Sequence, residues 1–179
     1  VRAYDRSGKL LYHFTTKNSG LNTDVVLDIL EKDNKIWIAT DGGGINIFDL
    51  QTHTFSNLSH VPGNPASLPE KSILTLYNDY EDNLWAGSIR GGLISIRKAY
   101  INAYHEAPLG GIHGLSHKTV LSTYQDQSGY LWLGTDGGGI NRFDPKAKIF
   151  KQYLQTYGLK IASITDFSDR ELLIYAFSK

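Results

Sequence analysis

Tryptophan occurs three times in the chain, at Trp37, Trp85 and Trp132, each time inside the same kind of phrase: NKIWIATDGGGINIFD, DNLWAGSIRGGLISIR and GYLWLGTDGGGINRFD. The interval is about 47 residues, and a fixed period in the range of roughly 20 to 50 is the mark of a repeat architecture. The heptad TDGGGIN stands unchanged at 40–46 and 135–141, whereas the middle copy reads SIRGGLI. Upstream of each tryptophan lies a related run, VLDILEK, ILTLYND or VLSTYQD, and downstream an aromatic one, HTFSNL, AYINAYHE or KIFKQYL.

Each repeat reads as four short strands, A to D, with tryptophan on B, the glycines in the B–C turn and no helical periodicity. The predicted class is all-β: a β-propeller fragment of about four four-stranded blades, each stacking on its neighbours to bury both faces. Trp37, Trp85 and Trp132 are expected as wedges between blades. Gly42, Gly43, Gly44, Gly91, Gly92, Gly137, Gly138 and Gly139 are expected to supply tight turn geometry. We expect a single partial propeller over 1–179: strands C and D of a split blade at 1–23, repeats at 24–71, 71–118 and 118–160, and strands A and B of a split blade at 161–179. In that last segment Leu173 or Ile174 replaces tryptophan. Three assemblies follow: a closed four-bladed ring, two chains pairing into an eight-bladed ring, or an open arc. An open arc exposes apolar blade faces and strand edges, which favours association into a homo-oligomer.

The phrases LWLGTDGGGINRFDP and IWIATDGGGINIFD, with the runs SILTLYNDYEDN and VLSTYQDQSG, resemble the two-component regulator propeller repeats over essentially the whole chain. The middle repeat departs, lacking both the Asp of TDGGG and the Asp after strand C. The resemblance implies a periplasmic or extracellular sensor region of a membrane-anchored hybrid two-component system of the Bacteroidetes type. Such sensors respond to oligosaccharides and switch on polysaccharide-utilisation genes. It also implies that this segment binds and associates without being an enzyme, the histidine kinase module of the parent lying elsewhere.

Composition narrows the remaining classes. The 18 acidic and 18 basic residues balance, so no basic field exists for nucleic acid or an anionic membrane surface. No apolar run approaches the roughly 18 residues of a membrane span, so direct membrane contact is not expected. Cysteine is absent, which removes disulfides and thiolate chemistry. Methionine is absent too and the chain opens within a repeat, so we expect a segment of a longer protein.

The glycine clusters are not phosphate loops. DGGGINR and DGGGINI lack the Lys-Ser/Thr of a Walker loop, and Ile47 and Arg142 occupy the third glycine position of a dinucleotide fingerprint. His113 and His117 have metal-ligand spacing only on a helix, and LGGIHGLSHK reads as loop, so neither a metal nor a cofactor is expected. Asp41 and Asp136 recur as scaffolding does, and no catalytic residue is identified; the DQSGYLW turn loosely resembles the Asp-box turns of sialidases, which are themselves structural. Asn57 opens a glycosylation sequon, NLS. Ligand binding is expected on the face of the B–C and D–A loops, which also carries His60, Asn64 and His105. The candidates are Arg90, Asp41, Asp136, His113, His117 and Tyr157. Arg90 ranks first because it breaks the repeat. Propeller enzymes of the streptogramin-lyase or glycosidase kind, and a purely protein-interacting propeller, are the alternatives.

Overall fold

The protein is described by a computed structural model covering residues 1–97, 100–107, 113–168 and 171–178. The chain divides into two compact units, Val1–Ile73 and Leu74–Lys179. The first holds β1 (Arg2–Tyr4) and β2 (Leu10–His13), then β3 (Val26–Lys32), β4 (Lys35–Thr40), β5 (Ile45–Asp49) and β6 (Phe55–Leu58). The strand β7 (Ile73–Asn78) leads into the second, followed by β8 (Leu84–Ser88), β9 (Leu93–Arg97) and β10 (Tyr100–Tyr104). The next set is β11 (Val120–Gln125), β12 (Leu131–Thr135), β13 (Ile140–Asp144) and β14 (Ile149–Tyr153). Last come β15 (Lys160–Ser168) and β16 (Glu171–Phe177).

Among the described residues these strands form three four-stranded sheets, β3-β4-β5-β6, β7-β8-β9-β10 and β11-β12-β13-β14, and two two-stranded sheets, β1-β2 and β15-β16. All are antiparallel meanders, as short strands joined by tight turns dictate. The only helical element among them is a 3-10 turn at Gln155–Tyr157.

Local chemistry sets each turn. Asp33 and Asn34 both take positive φ, which makes the two-residue β3–β4 hairpin of the primed type that twisted strands prefer. After the third strand, Asp49 Oδ1 accepts the amides of Gln51 and Thr52 at 2.9 and 3.0 Å. Asp144 does the same for Lys146 and Ala147. In the B–C turns the hydroxyl of Thr40, Ser88 or Thr135 donates to the carbonyl of Gly44, Gly92 or Gly139. Gly44 shows why glycine is required there: its φ is +72° and an added Cβ would lie 2.2 Å from the Leu58 carbonyl oxygen.

The inner strands of the complete blades are largely buried, β8 throughout its length. The seams carry the aromatics. In the second unit Trp85, 1% exposed, sits in one core with Leu131, Leu133, Phe143 and Phe150 of the next blade. Its ring centroid lies 5.6 Å from that of Phe143. Trp132 packs in turn with Ile161, Ile164, Leu172 and Ile174 of the β15-β16 hairpin. In the first unit the hairpin β1-β2 meets the following blade through Phe14 and Phe48, with centroids 4.7 Å apart.

Candidate ligand-binding site

The predicted loop face is built on a repeated latch. The second residue of each B–C turn is tied to a residue at the start of the next first strand: Ser72 and Thr119 immediately precede β7 and β11, and Lys160 opens β15. Ser72 Oγ donates to Asp41 Oδ1 at 2.6 Å, and Lys160 Nζ pairs with Asp136 Oδ1 at 2.7 Å. In the altered copy, Thr119 Oγ1 donates to the carbonyl of Ile89. Asp41 and Asp136 therefore share one role in two repeats, and the middle repeat achieves the same junction with a backbone acceptor.

Asn46 and Asn141, the last letters of the two identical heptads, are also joints. Each is fully buried and accepts a loop amide at 2.9 Å, from Asn22 and Ser116 respectively. The middle repeat carries Pro69 at the loop position of Asn22 and Ser116, and Ile94 at the position of the two asparagines. Proline has no N–H to donate, so an acceptor is not called for in that copy.

Arg90 occupies the position of Gly42 and Gly137, whose φ values are +80° and +104°, and is not itself among the residues with positive φ. Its side chain is exposed. The Thr119 bonds bring the Arg90 turn, His117 and Asp136 to one rim: the Thr119 amide donates to His117 Nδ1 at 3.2 Å and its carbonyl accepts the Asp136 amide at 3.2 Å. Tyr157, on the 3-10 turn, joins that rim through the Gly137 amide, which donates to Leu159 O at 3.1 Å. His113 is an exposed turn residue. Asp41 belongs to the first unit, where Asn22, Gly42, Gly43, Gly44, Ser59, His60 and Lys71 line a polar hollow of about 290 Å³. His60 Nδ1 is held against Leu68 O at 2.8 Å, Asn64 Oδ1 accepts the Ala66 amide, and the His105 carbonyl accepts the Leu115 amide. Residues 108–112 of the loop before His113 lie outside the described residues. Among the described residues no group of three or more His, Asp and Glu is placed to hold a metal ion.

A second polar cavity, of about 270 Å³, was not anticipated from the sequence. It lies in the second unit where the turns β7–β8, β11–β12 and β13–β14 converge, lined by Tyr80, Glu81, Gln127, Tyr130, Asp144 and Lys146 among others. Gln125, 3% exposed, builds its floor by taking the Tyr80 amide on Oε1 at 2.8 Å and donating from Nε2 to Gly129 O at 3.1 Å. Tyr80 is 67% exposed, and the Arg142 guanidinium lies 4.2 Å from the centroid of the Tyr130 ring, fixing it by a cation–π contact. Glu81 and Lys146 face each other at 3.1 Å. Two aromatic rings beside several hydrogen-bonding side chains are the equipment for a neutral, hydroxyl-rich ligand. The sequence signal was the tyrosine within each turn, YEDN and SGYLW, which reads as turn chemistry when the repeats are considered one at a time.

Four-stranded antiparallel blades joined at aromatic seams define a β-propeller segment. Residues 114–137 match the two component regulator propeller family, so the resemblance read from the repeated phrases holds at that junction. Two solved structures are similar over nearly the whole chain. The extracellular domain described as the hybrid two component system BT3049 of B. thetaiotaomicron has a TM-score of 0.72 and 21% identity, covering 97% of this chain and 22% of that one. The corresponding domain of BT4673 of the same organism has a TM-score of 0.70 and 22% identity, covering 98% and 24%. The computationally designed Ika4 protein is similar at a TM-score of 0.57 and 13% identity, covering 89% of this chain and 94% of that one. These likenesses show the fold, and the chain spans about a quarter of the length of the two extracellular domains. No curated protein sequence matches the chain.

Proposed function

We propose that this chain is a segment of the extracellular or periplasmic ligand-sensing propeller of a membrane-anchored hybrid two-component system. It binds without catalysing a reaction, and its ligand is an oligosaccharide whose capture regulates polysaccharide-utilisation genes through other parts of the protein. The observation that carries this reading is that the family match at 114–137 coincides with likeness, over nearly the full chain, to two extracellular domains described as hybrid two component systems.

The cavity beside Tyr80 and Tyr130 is the seat that this function calls for. Pyranose rings offer C–H faces to aromatic rings and hydroxyls to groups such as Gln127, Glu81 and Lys146, and little net charge is needed. The rim bearing Arg90, His117, Asp136 and Tyr157 supplies a further contact surface in the second unit, with His113 an exposed turn residue of the same unit, and the hollow beside Asp41 supplies another in the first unit. A thermal-shift screen of oligosaccharides released from plant and host-type polysaccharides tests the proposal. At least one glycan raises the melting temperature of the wild-type chain. Tyr80→Ala and Tyr130→Ala remove the shift, and Arg90→Ala reports whether the rim takes part. Absence of any shift across the panel refutes glycan binding by this segment, and glycan turnover refutes the non-enzymatic reading.

A further inference from the structure

The B–C turn recurs with one backbone frame, so the side chains around it can be compared position by position. The Gly44 amide donates to Lys71 O at 2.7 Å, and the Gly92 amide donates to Lys118 O at 3.0 Å. A Cβ added to Gly44, Gly92 or Gly139 would meet the carbonyl of Leu58, Tyr104 or Tyr153 respectively. His60 therefore matches Glu106 and Gln155, and Lys71, one before the latch residue Ser72, matches Lys118 and Leu159. In the first copy this frame encloses the polar hollow of about 290 Å³.

The donors and acceptors of the hollow are unevenly used. His60 Nδ1 meets the Leu68 carbonyl at 2.8 Å. A carbonyl only accepts, so Nδ1 carries the proton of the neutral ring and Nε2 is left as an acceptor. Asn22 Nδ2 donates to Gly43 O at 3.2 Å, which leaves Oδ1 to accept. Lys71 is in no ion pair among the described residues. The carboxylates next to it in sequence are otherwise used and do not line the hollow: Glu70 Oε1 accepts the Lys71 amide, and Asp41 Oδ1 accepts the Ser72 hydroxyl, both at 2.6 Å. In the Tyr80–Tyr130 cavity, by contrast, Lys146 already faces Glu81 at 3.1 Å.

Placing asparagine at position 22 leaves a buried donor unmet. In the third copy Asn141 Oδ1 accepts the Ser116 amide, and Asn141 Nδ2 donates to Ser116 Oγ at 2.7 Å. Asn22 stands where that serine would be. Its amide still reaches Asn46 Oδ1 at 2.9 Å, but its side chain turns to Gly43. Asn46 Nδ2 is buried with no hydrogen-bond partner among the described residues. Such a donor is unfavourable by more than an ordinary hydrogen bond contributes, and a serine would satisfy it, so stability alone does not account for Asn22.

An unpaired ammonium calls for an anion, and two acceptors call for hydroxyl groups. A sugar acid carries both on one ring. On the reading of this chain as a glycan sensor, we propose that the hollow is a subsite for a sugar acid of the uronate type: its carboxylate pairs with Lys71, and its hydroxyls donate to Asn22 Oδ1 and His60 Nε2. The volume, near the low end of the roughly 300 to 1,000 Å³ of small-ligand sites, suits a single ring. Neither other copy has this set. The middle copy has Pro69 and Glu106 in place of Asn22 and His60, and the third has Leu159 in place of Lys71.

Amide chemical shifts of the isotope-labelled chain, titrated with D-galacturonate and D-glucuronate, test the proposal against D-galactose, D-glucose and acetate. At least one uronate moves the amides of Asn22, Gly43 and Gly44 saturably and binds about tenfold more tightly than its neutral parent, as a charge-assisted contact provides. Acetate, which has no hydroxyl, does not saturate them. Lys71→Gln, at an exposed side chain, abolishes the preference for the uronate. Asn22→Ser weakens uronate binding while raising the melting temperature, because the serine hydroxyl meets Asn46. Tyr80→Ala leaves the uronate shifts unchanged. Equal affinity for a uronate and its neutral parent, an equal response to acetate, wild-type uronate binding in Lys71→Gln, or shifts confined to residues outside the hollow overturns the proposal. Glycan binding that depends on Tyr80 and Tyr130 would survive each of those results, so the two readings fail separately.

Discussion

The indole N–H of Trp85 donates to Asp79 Oδ2 at 2.7 Å, and both residues are buried. Asp79 Oδ1 also takes the amides of Glu81 and Asn83, at 3.0 and 2.7 Å, so one carboxylate fastens the β7–β8 turn to the wedge of the seam. Trp132 and Asp126 repeat the arrangement at 2.7 Å. In the first repeat the turn is one residue shorter and Lys32 stands at the aspartate position. The Trp37 Nε1 there is buried with no hydrogen-bond partner among the described residues.

This contrast predicts opposite responses to one substitution. Trp85→Phe loses a charge-assisted bond to a buried carboxylate and costs about 2 kcal/mol, whereas Trp37→Phe removes an unsatisfied donor and is near neutral. Trp85→Ala costs about 3 to 5 kcal/mol through the cavity it leaves. Urea unfolding of the three variants checks the order.

The glycines of TDGGGIN separate in the same way. An added Cβ at Gly42 meets open space, so Gly42→Ala bears only the cost of φ at +80°, about 1 to 2 kcal/mol. Gly44→Ala adds a clash with the Leu58 carbonyl and loses about 3 kcal/mol or more, or fails to fold. Equal losses at the two positions would contradict the turn geometry.

The Lys160–Asp136 latch is partly exposed, with side-chain exposures of 22% and 31%. Lys160→Ala therefore costs no more than about 1 kcal/mol, and the cost shrinks in high salt. Denaturation at low and high ionic strength checks both the size and the sign.

Three carboxylates of the first unit make stability sensitive to acid. The Lys35 side chain and the Thr52 and Gln51 amides hold Asp49 far below the ordinary carboxylate range. The Ser7 hydroxyl lowers Asp5, and the Thr16 amide lowers Asp24. A depressed carboxylate contributes stability above its unfolded value, 3.8 here, and that contribution is lost as pH falls toward the folded value. Melting temperature stays level from neutral pH down to about 5, where unfolded carboxylates are ionised, and falls below about 4. Asp49→Asn makes the acid fall shallower.

Much of the fold was legible because the repeat states the same geometry three times. Strand order, the turns and the tryptophan seams follow from Trp37, Trp85 and Trp132 with their flanking phrases. The altered heptad was legible only as a difference. Pairing Ile94 with Pro69 and Ile89 with Thr119 requires knowing which loop residue belongs to which turn, and that is spatial information. The Tyr80–Tyr130 cavity escaped the sequence for the same reason, since its two rings come from equivalent turns of successive repeats about 50 residues apart in the chain.

Calorimetric titration of the purified chain with the glycan that gives the largest thermal shift, in parallel with Tyr80→Ala and Tyr130→Ala, tests the account most directly. The account predicts saturable binding weakened at least about tenfold by each tyrosine substitution, as truncation of a central aromatic contact does. Binding of equal strength in all three proteins, or no binding heat with any oligosaccharide, would contradict it.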